Sequence, residues 1–170
     1  LCRIITESRC RQEKGKSSIP TLRLLELDDR EMLLLHPHLD REEWLDELKE
    51  VFDSRFFAAI AFNRLPGEKK RLERIERIAS RLCIPLVAAP FVYFHDPSRK
   101  VLADVLSCIR HNTSLENLGT RMVPNSTFCL LPPKDLLGLY ARYAGALEMT
   151  GEIASMCTFS LDQLEYHYPC

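Results

Sequence analysis

A chain of 170 residues, 46 % hydrophobic and 28 % charged, has the size and apolar content of one domain with a real core. Its 23 basic and 24 acidic side chains leave a net charge of −1, which excludes a general electrostatic pull toward nucleic acid or anionic lipid. No apolar run reaches the roughly 20 residues needed to span a bilayer, and Leu1-Cys2-Arg3-Ile4-Ile5-Thr6 is too short and too soon interrupted for a signal peptide.

The first ten residues read as the end of a helix, and the stretch from Arg11 to Pro20, with Gly15, Ser17 and Ser18, as a polar loop. Short apolar runs follow at 22–27 and 32–35, the second a strand candidate. Asp40-Arg41-Glu42-Glu43 has the form of a capping box, in which Asp40 accepts from free N–H groups and Glu43 reaches back. Trp44, Leu45, Leu48, Val51 and Phe52 then fall on one helical face. The unbroken apolar run 56–62 predicts a strand buried on both faces. After a Pro66-Gly67 turn, Leu72, Ile75, Ile78, Ala79 and Leu82 predict an amphipathic helix. Residues 84–89 predict another buried strand, and Val101, Leu102, Val105, Leu106 and Ile109 line another helix.

Strand and helix alternate three times over short connections, the signature of a parallel β/α architecture. Beyond Asn112 strand signals stop, Pro124, Pro132 and Pro133 punctuate the chain, and helices are expected at about 133–142 and 145–157. The expected organisation is a partial β/α unit over 1–112 and a helical segment over 113–170. Seven cysteines (Cys2, Cys10, Cys83, Cys108, Cys129, Cys157 and Cys170) include no C-x-x-C pair. Cys83, Cys108 and Cys157 fall in apolar, mostly helical stretches, so reduced core thiols in a cytoplasmic protein are expected rather than disulfides or a zinc site.

Two stretches carry candidate chemistry. His36-Pro37-His38 with Asp40 places two imidazoles and a carboxylate where a β/α unit collects its active site. Pro37 is also a turn residue and Asp40 a helix cap, so a surface loop is the plainer expectation. The second stretch, Pro90-Phe91-Val92-Tyr93-Phe94-His95-Asp96-Pro97, follows the third strand. His95-Asp96 could act as an acid/base pair, but Asp96-Pro97-Ser98 reads better as a helix start with Asp96 as cap. The charged run from Lys69 to Arg77 mixes both signs and reads as a solvated helix face rather than a DNA-contacting stripe. No glycine-rich phosphate loop, G-x-S-x-G elbow or H-E-x-x-H occurs.

The C-terminal run Leu130-Leu131-Pro132-Pro133-Lys134-Asp135-Leu136-Leu137, then Ala146-Leu147-Glu148-Met149-Thr150-Gly151-Glu152-Ile153, then Phe159-Ser160-Leu161-Asp162-Gln163-Leu164-Glu165-Tyr166-His167-Tyr168-Pro169, resembles the close of the PHP (polymerase and histidinol phosphatase) domain of bacterial DNA polymerase III alpha subunits. The likeness is to the error-prone, alpha-like group, which His95-Asp96-Pro97-Ser98-Arg99, Asp104-Val105-Leu106, Cys108-Ile109-Arg110 and Pro124-Asn125 also resemble. It is strongest over 99–169 and weaker over 20–80.

The resemblance implies a partial PHP-type β/α barrel within a larger DNA-directed DNA polymerase, a nucleotidyltransferase of DNA replication and repair that tolerates damaged templates. Leu1 in place of a start methionine fits a piece of such a polypeptide. Where metal-binding PHP domains carry an Asp and a His as ligands after this strand, the chain has Phe91 and Tyr93; where related polymerases often have a Glu in the earlier strand, it has Ala61. The resemblance therefore implies a lost metal site, no cofactor in this segment, and magnesium only in the parent polymerase. Implied partners are the rest of that polymerase, an accessory or proofreading subunit, and, through the parent, DNA and nucleotides, with no membrane. A homodimer covering an open sheet edge is a further expectation. The alternatives are the PHP region of a replicative alpha subunit contacting the proofreading exonuclease, and a stand-alone PHP phosphoesterase.

Overall fold

A computed structural model describes residues 2–10, 12–27, 32–37, 39 and 44–164. Two helices, α1 (Cys2–Cys10) and α2 (Thr21–Leu27), lead into a strand–helix alternation: β1 (Leu34–His36), α3 (Leu45–Phe52), β2 (Phe56–Ile60), α4 (Glu68–Arg81) and β3 (Leu86–Ala88). Helices α5 (Lys100–His111), α6 (Pro133–Leu139) and α7 (Ala144–Met156) follow. The strands form one parallel sheet in the order β1-β2-β3, with Leu34 beside Phe56 and Ala58 beside Leu86. The mixed α/β class and the three strand positions agree with the apolar runs in the sequence.

Alternation along β2 sorts the core. Phe56, Ala58 and Ile60 meet Leu45, Leu48 and Phe52 of α3 and Leu72, Ile75, Ile78 and Ala79 of α4. On the opposite face Phe57 and Ala59 pack with Val87, Met149 and Ile153. Every residue of β2 is buried, as its unbroken apolar run requires. Helix α7 joins the first cluster through Ala146 and the second through Ile153, so it passes β3 from one face of the sheet to the other. Ala58 N–H donates to Pro85 O and Ala89 N–H to Ile60 O, which turns the Ala88 carbonyl away from β2. Thr150 Oγ1 of α7 donates to that carbonyl at 3.0 Å. One bond of the outer strand is thus met by a helix of the same chain.

Tyr140 follows α6 and is fully buried; its hydroxyl donates to Ile60 O at 3.1 Å, and the Phe62 ring meets it edge-on at 4.8 Å. Burial pushes the Tyr140 phenol up to about 12. An unfolded tyrosine ionises near pH 10, so between about pH 10 and 12 the unfolded state sheds a proton that the folded state keeps. Stability should fall as pH rises through that window, by roughly 2–3 kcal/mol at its upper end. The Ile60 carbonyl also accepts from Ala89, so Tyr140→Phe should cost only about 1 kcal/mol at neutral pH. It should also flatten the alkaline decline, a comparison that urea midpoints across pH will check.

Three details differ from or add to these expectations. Trp44 and Val51 were expected on the buried face of α3, but both are exposed. Trp44 stands before the first turn with φ 69°, so it lies off the helical stripe. The expected capping box at Asp40 and Glu43 lies outside the described residues. Second, α5 forms where expected, and the apolar line Val101, Leu102, Val105, Leu106 and Ile109 points outward rather than into the core. Its buried side carries Asp104 and Cys108 instead. Asp104 accepts from Lys100 Nζ at 2.6 Å and from the Val123 amide at 2.9 Å, which fixes the helix in that rotation. Third, Cys108 and Cys129 are buried, but Cys83 and Cys157 are exposed because they fall just past the ends of α4 and α7. Among the described residues no helix is long and apolar enough to cross a membrane.

Candidate functional site

In parallel β/α folds, loops leaving the C-terminal ends of strands collect chemistry. Here those ends are His36, Ile60 and Ala88, with the segments that follow them. His36 closes β1, half-buried, its ring edge-on to Phe56 at 6.2 Å. His38 and Asp40 lie outside the described residues. Ala61 follows β2 and is buried, with no group able to bind a metal.

Past β3, the two aromatic residues take different positions. Phe91 packs against a cluster of Phe94, Val123, Phe128 and Cys129. Tyr93 is 64 % exposed, with its ring stacked on Phe128 at 5.2 Å and 11°. The Tyr93 amide donates to Phe128 O at 2.9 Å, and a parallel bridge joins Phe94 to Cys129. A short extended pairing therefore occurs beyond Asn112, where the sequence had offered no strand signal. An aromatic ring offers a divalent cation no good donor. Among the described residues no three His, Cys, Asp or Glu side chains group to hold a metal ion.

The Asp96 side chain hydrogen-bonds to Ser98, not to His95. Asp96 caps a single 3-10 turn, Pro97–Arg99, accepting from the Ser98 amide at 2.9 Å and from its hydroxyl. The Ser98 hydroxyl and amide hold the Asp96 carboxyl below its ordinary range, so it stays an anionic cap. This is the helix start expected from Asp96-Pro97-Ser98.

The residue that organises this end of the sheet is one the motifs missed. Asn63, three residues past β2, is 1 % exposed. Its Nδ2 donates to Phe91 O at 3.2 Å and Thr127 O at 3.3 Å, and its Oδ1 accepts from the Phe91 amide at 3.4 Å. Its carbonyl accepts from Asn125 Nδ2 at 2.8 Å and Thr127 Oγ1 at 2.9 Å. Its amide donates at 2.7 Å to Glu68, whose carboxylate also suits the first turn of α4. One amide side chain thus ties the loops after β2 and β3 to residues 125–127. These donors and acceptors satisfy one another, and no nucleophile faces a base among them. The available signals were a polar residue ending an apolar run and the Asn125-Ser126-Thr127 turn signature.

Comparison with known proteins bears on what this latched sheet end belongs to. No family model matches the chain. Error-prone DNA polymerase 1 of Agrobacterium fabrum is 33 % identical over 172 residues, 99 % of this chain and 16 % of that protein. Error-prone DNA polymerase 2 of the same organism is 35 % identical over 125 residues, 74 % of this chain and 12 % of the relative. The error-prone DNA polymerase of Anaeromyxobacter dehalogenans is 29 % identical over 178 residues, again 99 % of this chain and 16 % of the relative. This chain is homologous to one segment of the error-prone DNA polymerases. It spans at most 16 % of the length of these three polymerase relatives. The matches to Error-prone DNA polymerase 1 of Agrobacterium fabrum and to the Anaeromyxobacter dehalogenans polymerase cover both the sheet and the helices that follow it.

Proposed function

We propose that this chain is a non-catalytic scaffold within an error-prone DNA polymerase: the C-terminal part of a PHP domain whose metal site is gone. The observation that carries this reading is the pair Phe91 and Tyr93 past β3. They stand where metal-binding PHP domains carry an Asp and a His, and their loop is pinned by Asn63. The donor set does not fit a PHP metal, so no catalytic step is assigned here. The parent adds nucleotides across damaged DNA templates in the cytoplasm. Its magnesium-binding carboxylates lie in a palm domain outside this segment, so no residue of this chain handles primer or nucleotide. What this chain supplies is shape: a sheet whose loops are tied together and whose helices present surfaces to the rest of the polymerase.

Metal analysis of tag-free protein, with an assay for phosphoester hydrolysis, tests the loss of the site. The expected result is neither stoichiometric zinc nor manganese, and no hydrolysis. Stoichiometric metal that is lost on His36→Ala would overturn the proposal.

A further inference from the structure

Helix α5 is built inside out. Its buried side holds the Lys100–Asp104 pair, while Val101, Leu102, Val105, Leu106 and Ile109 face outward at 37 to 71 % exposure. Apolar side chains at this spacing are what a helix normally buries. The helix cannot simply roll over to bury them. Rolling would break the part-buried Lys100–Asp104 pair and strand the Val123 amide that Asp104 accepts from. A groove of about 430 Å³ between Ile109 and Leu115 extends the face beyond the helix end.

Charge decides what covers this face. Asp104 is the only carboxylate of α5 and is turned inward, and Asp96 ahead of the helix is engaged by the Ser98 amide and hydroxyl, so the outward side carries Arg99 just before the helix and Arg110 near its end, both exposed. A second copy is a poor occupant. Paired antiparallel about Val105, each Arg99 would approach the other copy's Arg110; paired in parallel, each arginine would face its own equivalent. The complementary surface is apolar with carboxylates at both ends. The polymerase relatives offer a source for it, since the region this chain matches is no more than 16 % of the length of the three described above.

We propose that the outward face of α5 docks on an apolar, carboxylate-flanked surface of the same polymerase polypeptide, outside this segment. This rests on reading the chain as part of a longer polymerase. The test is photo-crosslinking in the full-length polypeptide, with p-benzoylphenylalanine at position 106 or 109 and, as a control, at the exposed position 152 of α7. Crosslinks from 106 and 109, and not from 152, should map within one polypeptide to peptides outside the segment with Asp or Glu beside the attachment point. The double variant L106K/I109K should lower the melting temperature of the full-length protein by at least roughly 4 °C and leave that of the isolated chain unchanged. Crosslinks to α5 of a second copy, to a different protein or to added anionic vesicles would overturn the proposal, as would yields no greater than at 152. Primer extension by the same full-length preparation keeps the two readings apart: its absence counts against the polymerase reading, whereas extension without the crosslinks counts against the docking surface alone.

Discussion

Asn63→Asp is expected to cost about 3 kcal/mol or more at pH 7, although the two side chains have almost the same shape. Asparagine supplies the N–H group that donates to Phe91 O and Thr127 O, whereas a carboxylate can only accept. At a site 1 % exposed, the two carbonyls lose their donor and a negative charge is left facing them. Burial and those carbonyls would raise the folded-state pKa of the new carboxyl above its unfolded value near 3.9. The unfolded state then ionises first as pH rises from about 4, so the penalty should be smallest near pH 4 and grow toward neutrality. Asn63→Ala should lose a similar amount at pH 7 but without that slope. Urea midpoints at pH 4 and pH 7 separate the two variants. A cost below about 1 kcal/mol for Asn63→Asp at pH 7 would mean that the latch holds nothing.

Phe56→Ala is expected to remove about 3–5 kcal/mol. Phe56 is fully buried at the start of β2, beside Leu34 of β1, and belongs to the core cluster shared with α3 and α4. Truncation loses the transfer energy of the ring and leaves a cavity that the close-packed parallel strands cannot collapse into. A domain of this size has about 5–15 kcal/mol in total, so the variant should be partly unfolded or nearly so. Leu106→Ala in the isolated chain is the counterpart, an apolar truncation at 56 % exposure, and should change stability by no more than about 0.5 kcal/mol. The pair separates a stripe that builds this core from one that faces outward.

The contrast between Phe56 and Leu106 shows what could be read from the sequence. Unbroken apolar runs located β2 and β3, because a strand covered on both faces has no polar side to reveal. The stripe of Leu72, Ile75, Ile78 and Ala79 located α4 and its buried face together. Periodicity located α5 and its apolar side equally well, without saying where that side lies. A period of 3.6 says that one side is apolar, not which surface that side meets. What orients α5 is the bond from the Val123 amide to Asp104, 19 residues apart, and no local pattern carries it. Asn63 has the same character: its partners Phe91 and Thr127 lie 28 and 64 residues away. At the candidate site, cap chemistry made Asp96 legible, since that signal is local. The aromatic pair Phe91 and Tyr93 gained meaning only beside the family resemblance.

Primer extension on an abasic-site template separates a segment that supports polymerase chemistry, as proposed, from one that performs it. Full-length polypeptide, its His36→Ala and Tyr93→Ala variants, and this chain alone would be run side by side below their melting temperatures. Extension by the full-length protein, unchanged rates for both variants, and none by the chain alone are expected. Extension by the isolated chain, or a folded His36→Ala or Tyr93→Ala variant that loses extension rate at saturating nucleotide, would contradict the scaffold proposal.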